Sequence, residues 1–182
     1  MNLFIERATA AGAVVKVAAD RRRALALALD SVGRGPVALA PSALAGELGL
    51  AEALERAGVE SVDAGDPAAV ATAAVGITEA DAAVAATGTL FSDSTAVEGR
   101  LASTLPPRHV VLLRRDRVVA TLGEVLGRLA GGPPPFCAFT TGPSRTADIE
   151  RVLTIGVHGP RVLEIIVVGG EGCGGGPQET GS

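Results

Sequence analysis

RHVVLLR, residues 108–114, decides how the rest of the chain is read. Two prolines precede it, and Val110 to Leu113 form an unbroken branched apolar run. A run that short, without polar alternation, suits a strand buried in a sheet. VLEIIVV (162–168) repeats the pattern, and VVKVA (14–18), PVALAP (36–41) and FCAFTTG (136–142) read as further strands. VESVDA (59–64) is a weaker one. ITEADAAVAATGTLFSD (77–93) carries strand-like runs on each side of Gly88.

Helical signals lie between these strands. Asp20 is placed to cap RRRALALALD, whose Leu/Ala alternation has period two although both residues favour helix. Residues 46–57 read as one helix stopped by Gly58. Asp66-Pro67 opens another, with the acid as cap and proline at the first position. A short helix is expected around Leu101. Thr121 to Ala130 is a helix ended by two glycines and three prolines, and ADIERVLTIG (147–156) reads as a short helix. Strands alternating with helices predict an α/β fold, a mainly parallel sheet flanked by helices, in one domain over residues 1–169. Residues 170–182 are expected to form a disordered Gly-rich tail. GEGCGG (170–175) matches the dinucleotide pattern G-x-G-x-x-G, but no helix can follow it to receive a pyrophosphate.

Composition narrows the function classes. With 47% hydrophobic residues, four Phe and no Trp or Tyr, the core must be aliphatic. A net charge of −4 argues against a nucleic-acid surface, so Arg114, Arg115 and Arg117 read as a solvated strand end. No apolar run approaches the ~20 residues that cross a bilayer, and the N-terminus lacks a secretory pattern, so a cytoplasmic location is expected. Cys137 and Cys173 are too few and too far apart to ligate an iron–sulfur cluster or a structural zinc. No metal or cofactor is expected in this chain.

Three polar stretches stand out from this aliphatic background. In TGT (87–89), Gly88 would admit a ligand or second chain close to the backbone; a β-bulge accounts for it equally. In TTGPSRTADIE (140–150), Thr146 would cap a helix beginning at Ala147, with Asp148 and Glu150 in its first turn. Capping does not require Arg145, whose guanidinium matches carboxylate or phosphate in two-pronged fashion. With Ser144 and the turn amides it would form an anion site; an ion pair of Arg145 with Asp148 explains the same residues. In GVHGPR (156–161), His158 could act as a base or bind a carboxylate. His109 reads as a structural polar residue.

ITEADAAVAATGTL, GRLASTLPPRHVVLL and TGPSRTADIERVLTIGVHGPRVLEIIVV, taken in order, resemble the lactate-utilisation protein C family, whose members carry a LUD domain. The resemblance spans about residues 75–168 and implies a fold similar to the ribose-5-phosphate isomerase and CoA-transferase group (NagB/RpiA/CoA transferase-like). It also implies oxidation of L-lactate to pyruvate beside partner proteins, one bearing iron–sulfur clusters and one with cysteine-rich repeats. Its motif positions here are Thr87, Gly88, Thr89, Arg100, Gly142, Pro143, Ser144, Arg145, Thr146, Asp148, Glu150, His158, Gly159 and Pro160. His158, Arg145 and Asp148 are the catalytic candidates, and all of these positions except Pro143, Asp148 and Pro160 are candidates for binding substrate or anion, Arg145 and His158 included. Relatives often carry an acid where this chain has Ala86. The implied function is a subunit that supplies a small-anion site while partners supply electrons. The alternatives are a stand-alone transferase or isomerase on a phosphorylated or CoA-linked metabolite, or a non-catalytic assembly protein.

Overall fold

The structure, a computed structural model, describes residues 1–147, 153–155 and 159–169. Among these, the elements run α1 (Asn2–Ala10), β1 (Val14–Ala18), α2 (Arg21–Val32), β2 (Val37–Leu39), α3 (Ala43–Glu47), α4 (Leu50–Arg56), β3 (Ser61–Val62) and α5 (Pro67–Thr72). There follow β4 (Val75–Ala80), β5 (Ala82–Val84), β6 (Thr89–Asp93), α6 (Val97–Thr104), β7 (Arg108–Arg114), β8 (Val118–Val119) and α7 (Leu122–Arg128). The last are β9 (Cys137–Thr140), β10 (Arg145–Ala147), β11 (Leu153–Ile155) and β12 (Val162–Val168).

Six strands form one sheet in the order β1-β12-β7-β4-β2-β3, and every pairing in it is parallel. The mainly parallel sheet expected from the sequence is thus wholly parallel. A smaller mixed sheet, β8-β5-β6-β9, packs beside it. The unbroken apolar runs are explained by burial on both faces. Val110 and Leu112 of β7 pack with Ile166, Val168 and the inner faces of α2, α3 and α4. Val111 and Leu113 point the other way, to α1 and the small sheet, through Phe4, Ala8, Ala83 and Leu90.

Local chemistry accounts for the helices. Asp20 caps α2 by accepting the Arg23 amide at 2.7 Å. The buried residues of α2 are Ala24, Leu27, Ala28, Ser31 and Val32, one continuous face at helical spacing despite the period-two lettering. Asp66 caps α5 with Pro67 at its first position, and Thr121 with Glu124 forms a capping box on α7. Helix α6 lies directly on β4: a Cβ at Gly76 would stand 1.8 Å from the Ala102 carbonyl oxygen.

Two readings are corrected. Residues 46–57 are not one helix. The chain turns at Gly49, with φ of 59°, and separates α3 from α4, so that Leu48 and Leu50 can both be buried. Nor does a helix begin at Ala147. Arg145–Ala147 is a strand paired antiparallel with Leu153–Ile155, with Thr146 opposite Thr154. The β-branched Thr146, Thr154 and Ile155 favour that hairpin over the helix suggested by the intervening acids. Thr146 is therefore no helix cap. The segment 170–182 lies outside the described residues. Helix α1 and strand β8 carried no signal that the sequence reading used.

Candidate functional site

The connections of the large sheet reverse between β2 and β4. Strand β2 leads outward to β3, whereas β4 leads, through the small sheet and α6, to β7 on its other side. In open α/β sheets the loops part at such a point and leave a crevice beyond the carboxyl ends of the strands. A cavity of about 940 Å³ lies there, lined by Ala40–Ala43 after β2, by Thr78, Glu79 and Asp81 at the end of β4, by Arg114 at the end of β7 and by Asp116 and Arg117 after it. Its far wall is the loop from Asp93 to Gly99 at the start of α6.

Ion pairing frames this crevice. Arg114, the last residue of β7, grips Glu47 with both terminal nitrogens, at 2.7 and 3.1 Å, and its Nε donates to Glu79 at 3.1 Å. The other oxygen of Glu79 accepts the Leu44 amide at 2.8 Å, so both ends of α3 are tied to the sheet floor. The hydrogen bonds from Arg114 hold the Glu47 carboxyl below its ordinary range, and Glu47 in turn raises the guanidinium. Asp81 accepts the Asp93 amide at 2.6 Å. Partial burial, helped by the charges of Asp93 and Glu79, pushes its carboxyl above the ordinary value. The reading of Arg114 as a solvated strand end is thus corrected: its side chain is paired with two carboxylates. Glu79, Asp81 and Arg114 were missed as site residues; the only signal was two acids closing an apolar strand in ITEAD.

The residues singled out in the sequence gather elsewhere. The hydroxyls of Thr87, Thr89 and Thr141 form a chain, 2.7 Å at each link, which joins the TGT turn to the end of β9. Gly88, with φ of 69°, does meet a close backbone, but it is that of α1: a Cβ there would lie 2.3 Å from the Ala8 nitrogen. Gly142 meets the same helix end, 2.2 Å from the Ala11 carbonyl oxygen by the same measure. The Ser144 amide donates to the Pro160 carbonyl at 3.0 Å, which brings the Gly142–Ser144 and Gly159–Pro160 turns together. Ala86, exposed on the turn before Thr87, donates its amide to Ala120 at 3.1 Å.

Arg145 and Thr146 follow in β10; Asp148, Glu150 and His158 lie outside the described residues. Arg100 stands apart on α6. It donates to the Ser94 and Thr95 carbonyls at 2.7 and 2.8 Å and covers the Phe136 ring at 4.7 Å, so it braces the far wall of the crevice. Thr89 opens β6 and Asp93 closes it, so the threonine chain and the crevice stand roughly 13 Å apart along that strand. His109 is buried against Thr78 at 2.8 Å, in keeping with a structural role, and burial lowers its pKa to about 4.

The fold and crevice define the class: a parallel α/β domain, covered on both faces, with its polar opening at the strand carboxyl ends. The chain belongs to the LUD-domain family, whose sequence model matches residues 1–168. It is 32% identical over 155 residues to the Lactate utilization protein C of Anoxybacillus flavithermus, covering 82% of this chain and 70% of that one. Over 92 residues it is 41% identical to the Lactate utilization protein C of Deinococcus radiodurans, covering 48% of this chain but only 42% of that one. Against the crystal structure of a DUF162 family protein from Deinococcus radiodurans it has a TM-score of 0.61 at 27% identity, covering 92% of this chain and 95% of that one. Among the described residues no helix is long and apolar enough to cross a membrane.

Proposed function

We propose that this chain is a subunit of a system that oxidises L-lactate to pyruvate, in which iron–sulfur and cysteine-rich partner proteins carry the electrons. Membership of the LUD-domain family, with relatives named for lactate utilisation, is the observation that carries this reading. Two cysteines distant in sequence suit a subunit that relies on the redox centres of others.

Within that role, the chain contributes a small-anion site at the paired turns Gly142–Ser144 and Gly159–Pro160, next to Arg145. Three threonine hydroxyls and the contact of the two turns support the location. With β10 in place of a helix, no helix dipole assists the anion, and the attraction rests on the Arg145 guanidinium. Anaerobic reconstitution with the two partner proteins tests the function: lactate oxidation should be lost when this chain is omitted. An unchanged rate without it would remove the proposal. Titration of lactate and phosphate into Arg145→Ala and Arg145→Lys tests the site. Lysine keeps the charge but loses the fork, so it should bind more weakly than arginine and more tightly than alanine.

A further inference from the structure

The anion-site reading leaves the switch-point crevice unused. We propose that this crevice is a second ligand site, selective for small hydroxylated cations of the amino-alcohol class, with Asp81 as the carboxylate that receives the ammonium group.

Placement comes first. The cavity opens where the sheet topology forces the loops after β2 and β4 apart, and residues from both of those loops line it. Its frame is rigid, because Arg114 and Glu79 bind α3 to the ends of β7 and β4 by hydrogen bonds from separate elements.

Charge selects the ligand. Arg114 is the cation deepest in the frame, yet Glu47 and Glu79 already neutralise it. What remains around the space is Asp81, Asp93, Glu98 and Asp116 against Arg117. The excess is negative, so lactate or a phosphate would be repelled. Ala96 leaves the first amides of α6 without a side-chain cap, which alone would favour an anion. Glu98 in that first turn already supplies the carboxylate that the dipole prefers.

Lining chemistry sets the size and polarity of the occupant. The apolar contributors are small, namely Ala40, Pro41, Ala43 and Ala96, and among the described residues no aromatic ring lines the walls. A flat ring would find nothing to stack on, whereas Ser42 and Thr95 can hydrogen-bond to a hydroxyl. Asp81 is the focal group. The Asp93 amide occupies its Oδ2 and leaves Oδ1 for a ligand. The carboxyl is crowded by Glu79 and Asp93, with Arg117 the opposing charge, so an ammonium there would relieve an existing repulsion.

Three molecules with one carbon skeleton separate the possibilities. These are 1-aminopropan-2-ol (cationic), propane-1,2-diol (neutral) and L-lactate (anionic), each with a hydroxyl at the second carbon. The full ¹⁵N-labelled chain is titrated with each at neutral pH, following amides at residues 43–44, 93–99 and 114–117. The amino alcohol should shift these amides saturably and bind there at least about tenfold more tightly than lactate, the scale of one charge-assisted hydrogen bond. Asp81→Asn keeps the acceptor for the Asp93 amide but removes the charge, and should weaken the amino alcohol by about tenfold. Glu98→Gln, on a different element, should weaken it too. Equal shifts by lactate, no saturable shift by the amino alcohol, or unchanged affinity in both variants would overturn the proposal. Lactate shifts confined to residues 141–146 report the anion turn separately, so either site can fail while the other stands.

Discussion

Lys16 Nζ stands 2.6 Å from Glu164 Oε1, joining β1 to β12 through a carboxylate whose side chain is only 5% exposed. Ser31 of α2 donates to the same oxygen and accepts from Lys16 at 3.2 Å. The chain's single lysine is therefore a cross-link between a sheet edge and the helix above it. Lys16→Met should destabilise the fold by about 2 kcal/mol, below the range for fully buried pairs because Lys16 is partly solvated. The double variant Lys16→Met/Glu164→Leu should recover most of that loss. Urea unfolding of the single and double variants checks this; equal loss in both would show that the pairing does not matter.

The buried His109 makes stability depend on pH. Its folded pKa of about 4 lies below the ordinary 6.5, so the unfolded chain takes up the proton first. The stability this residue contributes is complete above pH 6.5 and is lost as pH falls towards 4, amounting to roughly 3 kcal/mol over that window. His109→Gln should keep a hydrogen-bonding group beside Thr78 and flatten the fall in melting temperature between pH 7 and pH 5. A parallel fall in both proteins would show that other groups govern the transition.

Asp81 works in the opposite direction. Its folded carboxyl is raised above the ordinary 3.8, so the folded chain holds the proton more tightly than the unfolded one. Above the raised value the charged form opposes folding, and this opposition fades as pH falls towards 3.8. Asp81→Asn should therefore melt higher than the parent at neutral pH, with the two converging in acid. A variant that melts lower at neutral pH would mean that the charge supports the fold.

Gly88 and Gly33 both have positive φ, 69° and 71°, and at Gly33 ψ is −138°. Nothing lies within 4 Å of a Cβ built at Gly33, whereas at Gly88 it meets the backbone of α1. Gly33→Ala should cost about 2 kcal/mol from conformation alone, and Gly88→Ala at least about 2 kcal/mol more from the clash. Chemical denaturation of both measures the difference directly. Equal losses would show that α1 yields without resistance.

What could be read in the sequence was what depends on near neighbours. The caps at Asp20 and Asp66 and the apolar runs of β7 and β12 are local patterns, and each appears where it was expected. Thr89 of TGT and Thr141, just before the GPS turn, are spatial neighbours. The crevice was hidden because Glu79 and Arg114, 35 positions apart in the sequence, meet through the parallel pairing of β4 with β7. The β10 hairpin was missed because the acids beside it made a helix start locally plausible, while its partner strand had to be supplied from residues 153–155.

The sheet order has a consequence for synthesis on the ribosome. Among the described residues strand β1 pairs only with β12 in the large sheet, residues 14–18 against 164–168, and β12 fills the slot between β1 and β7. A nascent chain that has emerged as far as β7 can pair β3, β2, β4 and β7, but β1 has no neighbour to join. The flank of β7 stays open, with Val111 and Leu113 short of the Ile165 and Val167 that complete their layer. Until translation delivers β12, the growing polypeptide presents a bare β-edge, the species that holdase chaperones capture. Slow codons or stalling between β7 and β12 should lower the yield of folded protein more than the same delay placed before β4.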